Sequence, residues 1–232
     1  MKPVICFFYH EPSAVAQFHL RCVRKTNRLP IVLICPHDGV PFPGESVVAD
    51  TGLLGFEKHR NSATVRGFLN WWRTTGGLSY DSFIWVEYDT LVRRPLLELF
   101  GPIPDVPSAL FAAETLKWPD PWGWWDKLEY MDVNAEGGRL KPYLRGIKPL
   151  TGVFVGRKVV EDSLALIVQD RWLRNLHSEM CFATAACTAG YEAAAYGNRW
   201  ITCGDLTDYA RWVVQMPPFA HAVKSVIPRG AL

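Results

Sequence analysis

Three short apolar runs constrain this chain more than any other feature: Val4–Tyr9, Ile31–Cys35 and Ser82–Glu87. Each is continuously apolar rather than alternating, the pattern of a strand covered on both faces. Segments of helical character separate them. Glu11–Lys25 carries Pro12 near its start and Val15, Phe18, Leu20, Cys22 and Val23 inside it. Asn61 suits the N-cap of a second helix reaching about Arg73, with Val65, Phe68, Leu69 and Trp72 on one side and Gly76-Gly77 as the stop. Ser46–Ala49 reads as a weaker strand and Ser108–Ala113 as another. Strands alternating with helices at this spacing predict βαβ units and a largely parallel α/β sheet.

The second half has a different texture. Residues 115–150 are rich in Trp, Pro and Gly without a clean period, which predicts a long functional loop region holding short pieces of structure. Gly152–Val155 reads as a strand, Val159–Val168 as a helix, His177–Ala189 as a helix of small apolar residues, and Arg199–Thr202 as a strand. Phe219–Lys224 lies in a tail containing Pro217, Pro218 and Pro228. With no internal repeat and no linker, residues 1–232 read as one domain.

Composition narrows the function classes. Hydrophobic residues make up 49% of the chain, enough for a sizeable core and too many for a disordered segment. The net charge is +2 with no long run of Lys or Arg, so no nucleic-acid footprint is expected. The six cysteines form no CxxC pair and no cluster with zinc spacing. Cys6 and Cys35 sit in apolar runs, where a thiol acts as a small hydrophobe, and a reduced, cytoplasmic chain is the expectation. No apolar stretch reaches the roughly 18 residues that a membrane span requires.

The chemistry concentrates at Asp81-Ser-Phe-Ile-Trp-Val-Glu87-Tyr88-Asp89-Thr90. Glu87 and Asp89 follow a buried strand directly, and open parallel sheets bind ligands beyond the carboxyl ends of their strands. Carboxylates at i and i+2 share one face of a strand and converge through the turn after it. Two hard oxygen ligands combined with phosphate oxygens suit Mg²⁺ or Mn²⁺. Without that location the triplet would read as an ordinary solvated strand end.

The order of these features resembles GT-A glycosyltransferases: the Val-Ile-Cys-Phe-Phe strand, a second strand running into Asp38, and an acidic triplet after the fourth strand. The resemblance implies a GT-A (Rossmann-like) mixed, mostly parallel sheet flanked by helices. It also implies a nucleotide-binding half over residues 1–114 and an acceptor-binding half over 115–232. Glu87-Tyr88-Asp89 stands where those enzymes carry Asp-x-Asp, and the last acid, Asp89, is their firmest metal ligand. His221 in Phe219-Ala-His-Ala-Val-Lys224 resembles the late histidine that completes their metal site, with Lys224 reaching the diphosphate. Tyr9 and His10 match the region that cups base and ribose, and Asp38 the position that holds the base edge. Arg60, in Lys58-His-Arg-Asn61 before a helix N-terminus, is placed for phosphate. The implied partners are a UDP- or GDP-sugar and a carbohydrate or lipid-linked acceptor, with Mn²⁺ or Mg²⁺ as cofactor.

Pro149-Leu-Thr-Gly-Val-Phe-Val-Gly156 resembles the acceptor-side strand of these enzymes, Thr151-Gly152 letting backbone approach a sugar. In inverting members an acid near the position of Glu179 deprotonates the acceptor hydroxyl; in a retaining enzyme Glu179 would orient the donor sugar. A structural account competes, with Ser178 as N-cap and Glu179 as a first-turn acid. Trp118, Trp122, Trp124 and Trp125 would stack on sugar, pack as a lid, or anchor the chain peripherally at a membrane surface. Two other activities fit a related sheet. A sugar-1-phosphate nucleotidyltransferase would carry a Gly-rich loop after the first strand, where this chain has His10-Glu-Pro-Ser13. A non-catalytic nucleotide- or carbohydrate-binding module would bind donor without turnover.

Overall fold

The computed structural model describes residues 1–10, 12–35, 41–42, 48–49, 63–74, 77–123, 125, 128, 137–197, 201–203 and 219–221. Among them, the first half contains β1 (Pro3–Phe8), α1 (Ala14–Thr26), β2 (Ile31–Cys35), β3 (Val48–Ala49), α2 (Ala63–Thr74), β4 (Ser82–Glu87), β5 (Leu91–Val92) and β6 (Leu110–Ala112). The second half adds β7 (Glu114–Lys117), β8 (Arg145–Lys148), β9 (Val153–Gly156), α3 (Arg157–Gln169), α4 (Arg171–Asn175), α5 (Ser178–Thr188), β10 (Ala194–Ala195), β11 (Ile201–Cys203) and β12 (Phe219–His221).

Seven strands form the main sheet in the order β10-β6-β9-β4-β1-β2-β3. The register is fixed by pairs such as Ile5 with both Ile31 and Ile84, and Phe8 with Glu87. All strands run parallel except β9, which is antiparallel to both β4 and β6. This mixed, mostly parallel sheet flanked by helices is the expected fold class. The apolar runs are continuous because both faces of the sheet are covered. Val4, Cys6 and Phe8 face one cluster with α2, α3 and α5; Ile5, Phe7 and Tyr9 face another with α1. Trp85, fully buried, centres the first cluster between Phe8, Phe68 and Phe182, at ring centroid separations of 5.9, 4.9 and 4.8 Å. Burying a side chain of this kind stabilises by roughly 1.5–3 kcal/mol.

Several expectations shift in detail. The first helix starts at Ala14 because Ser13 caps it, its hydroxyl accepting from the Ala16 N–H, so Pro12 lies ahead of the helix. The short pieces of structure expected within 115–150 include an antiparallel ribbon of β7 with β8, Glu114 opposite Lys148. The strand expected at 152–155 begins one residue later, because Gly152 adopts a left-handed φ of 67°. The capping residue of α5 is His177, not Ser178, which is its first residue and is buried. The proposed cap Asn61 and the stop residue Gly76 lie outside the described residues. Cys6, Cys22, Cys35, Cys181 and Cys187 are free thiols. Among the described residues no helix is long and apolar enough to cross a membrane.

Candidate metal centre

Glu87 is the last residue of β4, level with Phe8 at the end of β1. The chain then turns, and the Thr90 N–H closes the turn on the Glu87 carbonyl at 3.0 Å. Both carboxylates of the triplet are thereby set beyond the carboxyl edge of the parallel strands. β5 leaves the turn and pairs antiparallel with β12, Leu91 opposite Ala220 and Val92 opposite Phe219. That register brings His221 alongside the turn. Its Nε2 lies 3.0 Å from Glu87 Oε2 and 3.4 Å from Asp89 Oδ1.

One ligand atom from each of Glu87, Asp89 and His221 lies within 4.8 Å of the other two. Ligand atoms bound at about 2.2 Å to a common ion stand about 3–4 Å apart, so the donor set and its spacing fit a divalent ion. Asp89 is the most enclosed of the three, with its side chain 9% exposed. Burial acts to lower the pKa of His221, but the hydrogen bonds and charges of Asp89 and Glu87 overcome it and raise it to about 10. Without a metal, the imidazole therefore carries the proton and donates to the carboxylates at neutral pH.

The turn is itself gripped from two sides. Thr151, fully buried, accepts the Glu87 backbone N–H at 3.1 Å and the Thr90 hydroxyl at 2.8 Å. Gly152 beside it donates its N–H to the Trp85 carbonyl and accepts the Tyr196 hydroxyl. On the other side His19 of α1, also fully buried, donates its Nδ1–H to the Tyr88 carbonyl at 2.7 Å. Burial lowers the His19 pKa, the Tyr88 hydrogen bond and the Asp89 charge working against it, so the ring is neutral. His19 is not among the residues that the sequence motifs single out. Its signal lay in the helical stripe Ala16-His19-Leu20-Val23, which puts a histidine at an inward position.

The remaining candidates are distributed as follows. Tyr9 is fully buried, its ring 4.5 Å by centroid from Phe42 in the core. His10 is exposed, and its ring meets Tyr88 edge-on at 5.4 Å. Glu179 lies in the first turn of α5, its Oε2 3.6 Å from His177 Nδ1. Asp38, Arg60 and Lys224 lie outside the described residues, as does Trp124. Of the other indoles, Trp125 is buried and donates to the Asp120 carbonyl, Trp122 packs against Gly146, and Trp118 is exposed.

No protein-family model matches the chain, and no curated relative matches it. Solved structures do. A complex of the galactosyltransferase LgtC with donor and acceptor sugar analogues superposes with a TM-score of 0.53 at 14% identity, over 94% of this chain and 86% of that one. An active-site mutant of LgtC gives 0.50 at 12% identity, over 98% and 92%. The bifunctional glycosyltransferase WbbM gives 0.50 at 15% identity over 96% of this chain, which spans only 46% of WbbM. At these identities the likeness is one of fold: the chain has the GT-A architecture of glycosyltransferases, with an acidic cluster completed by histidine at the end of its fourth strand.

Proposed function

We propose that this chain is a metal-dependent glycosyltransferase that moves a sugar from a nucleoside diphosphate sugar to a hydroxyl acceptor. The observation that carries the reading is the meeting of Glu87, Asp89 and His221 beyond β4 of a GT-A sheet. Two carboxylate oxygens favour Mg²⁺ or Mn²⁺, and the imidazole tilts the set towards Mn²⁺. Asp89 and His221 hold the ion, and Glu87 completes the set. When bound, the ion neutralises charge on the departing diphosphate.

The protein's own residues do the rest. His10 and Tyr88 form an aromatic corner beside the metal ligands that receives the base or ribose, with Tyr9 supporting it from the core. Asp38 binds the base edge, and Arg60 and Lys224 take phosphate oxygens. Glu179 accepts the proton of the acceptor hydroxyl; a positioned base of this kind contributes roughly 10²–10⁴-fold to rate. Residues 1–114 serve the nucleotide and 115–232 the acceptor, a carbohydrate or lipid-linked sugar. A panel of UDP- and GDP-sugars incubated with Mn²⁺ tests the reading. Metal-dependent release of the nucleoside diphosphate supports it. Binding without turnover towards any acceptor would sink it in favour of a binding module.

A further inference from the structure

Asp89 and Glu87 are two residues apart, so the distance between their carboxylates is set by the backbone of one short turn. A turn at a sheet edge is ordinarily free to adjust, and an adjustable pair of ligands loses affinity to its own reorganisation. Here the polar groups of the turn are taken up by side chains from two other elements. The Glu87 N–H and the Thr90 hydroxyl both end on Thr151, which enters from the loop before β9. The Tyr88 carbonyl ends on His19, which enters from α1. Neither Thr151 nor His19 is exposed at all, and neither is one of the three clustered ligands.

We infer that Thr151 and His19 are positioning residues that hold the Glu87–Asp89 turn in its metal-binding conformation. The inference rests on the metal reading above. The geometry assigns them different tasks. Thr151 fixes the two ends of the turn, since Glu87 and Thr90 share its one oxygen. His19 fixes the middle, since its bond sets the orientation of the peptide between Tyr88 and Asp89. Together they hold the carboxylates in register with His221, which arrives on β12 through its pairing with β5, the strand that leaves the turn.

The test is Mn²⁺ titration of the purified, metal-free chain, followed by calorimetry and by the electron paramagnetic resonance signal of free Mn²⁺. Circular dichroism and thermal unfolding in chelator report the fold. Thr151→Val keeps the shape and removes the acceptor; Thr151→Ser keeps the acceptor. We expect Mn²⁺ affinity to fall by about 10–100-fold in the valine variant and by less than about threefold in the serine variant. His19→Leu should weaken binding likewise, and His19→Asn, whose amide nitrogen replaces Nδ1, should restore most of it. A folded Thr151→Val that binds Mn²⁺ as tightly as wild type overturns the inference, as does a serine variant as weak as the valine one. Should Thr151→Val fail to fold, the His19 pair decides by the same criterion. A wild-type chain that takes up no Mn²⁺ overturns the metal reading itself, and the positioning role with it.

Discussion

The imidazole of His221 and the carboxylate of Glu87 meet at 3.0 Å although 134 positions separate them in the chain. One ends a strand of the main sheet and the other a strand of a separate three-stranded sheet, β11-β12-β5. The three-residue cluster therefore exists only when both of these sheets are formed.

Asp89 is the most enclosed of the three ligands, and we expect its loss to matter most. Asp89→Ala should abolish Mn²⁺-dependent binding of the donor. Calorimetry with a UDP- or GDP-sugar, with and without Mn²⁺, checks this; an unchanged metal dependence would remove Asp89 from the site.

Proton and metal compete for His221. Because its pKa is raised to about 10 in the metal-free chain, a proton must leave before the imidazole can bind a metal. Apparent Mn²⁺ affinity should therefore rise by up to about tenfold per pH unit between about pH 6 and 8, with proton release visible as a buffer-dependent heat. For the metal-free chain the sign is opposite. A raised pKa means that the contribution of His221 to stability is complete below about pH 6.5 and is lost as pH climbs through about 10. Urea denaturation in chelator at about pH 7 and about pH 10 checks that direction, and His221→Ala should flatten the difference.

Glu179→Gln keeps the size of the side chain and removes its basicity. We expect donor affinity to hold and turnover to fall by roughly 10²–10⁴-fold. Steady-state kinetics with saturating donor measure it, and a wild-type rate would exclude Glu179 from proton transfer.

Gly156 tests the sheet rather than the site. A Cβ there would collide with the Val106 and Pro107 carbonyls, while its N–H donates to the Ala109 carbonyl at 2.7 Å. Backbone atoms cannot swing aside, so Gly156→Ala should destabilise by about 1–3 kcal/mol. Equilibrium denaturation in urea measures the change.

The strands most legible in the sequence were those buried on both faces. Ile31–Cys35 and Ser82–Glu87 have the same limits in the sequence reading and in the structure, because continuous apolar runs mark such strands without ambiguity. β5, β10 and α4 were not anticipated, since two to five residues carry too little pattern to rise above their surroundings. The direction of β9 was also hidden, because apolar content does not encode strand polarity. The acidic triplet was legible from its place at the end of a continuous apolar strand, whereas His221 was found through its likeness to a known arrangement. The hydrogen bonds of Thr151 and His19 were beyond reach, since they depend on that polarity and on the rotation of α1.

The reversed direction of β9 has a consequence for how such a chain can diversify. β6 runs towards the rim that holds Glu87 and Asp89 and β9 runs away from it, so the chain leaves the sheet after β6 and re-enters it before β9 at the same rim. Within that excursion β7 and β8 pair as an antiparallel ribbon. Entry and exit at one rim let segments of the excursion change in length without rethreading a strand of the sheet, while Leu140, Leu144, Ile147 and Leu150, buried in the core, and Thr151, which grips the turn, hold the rest in place.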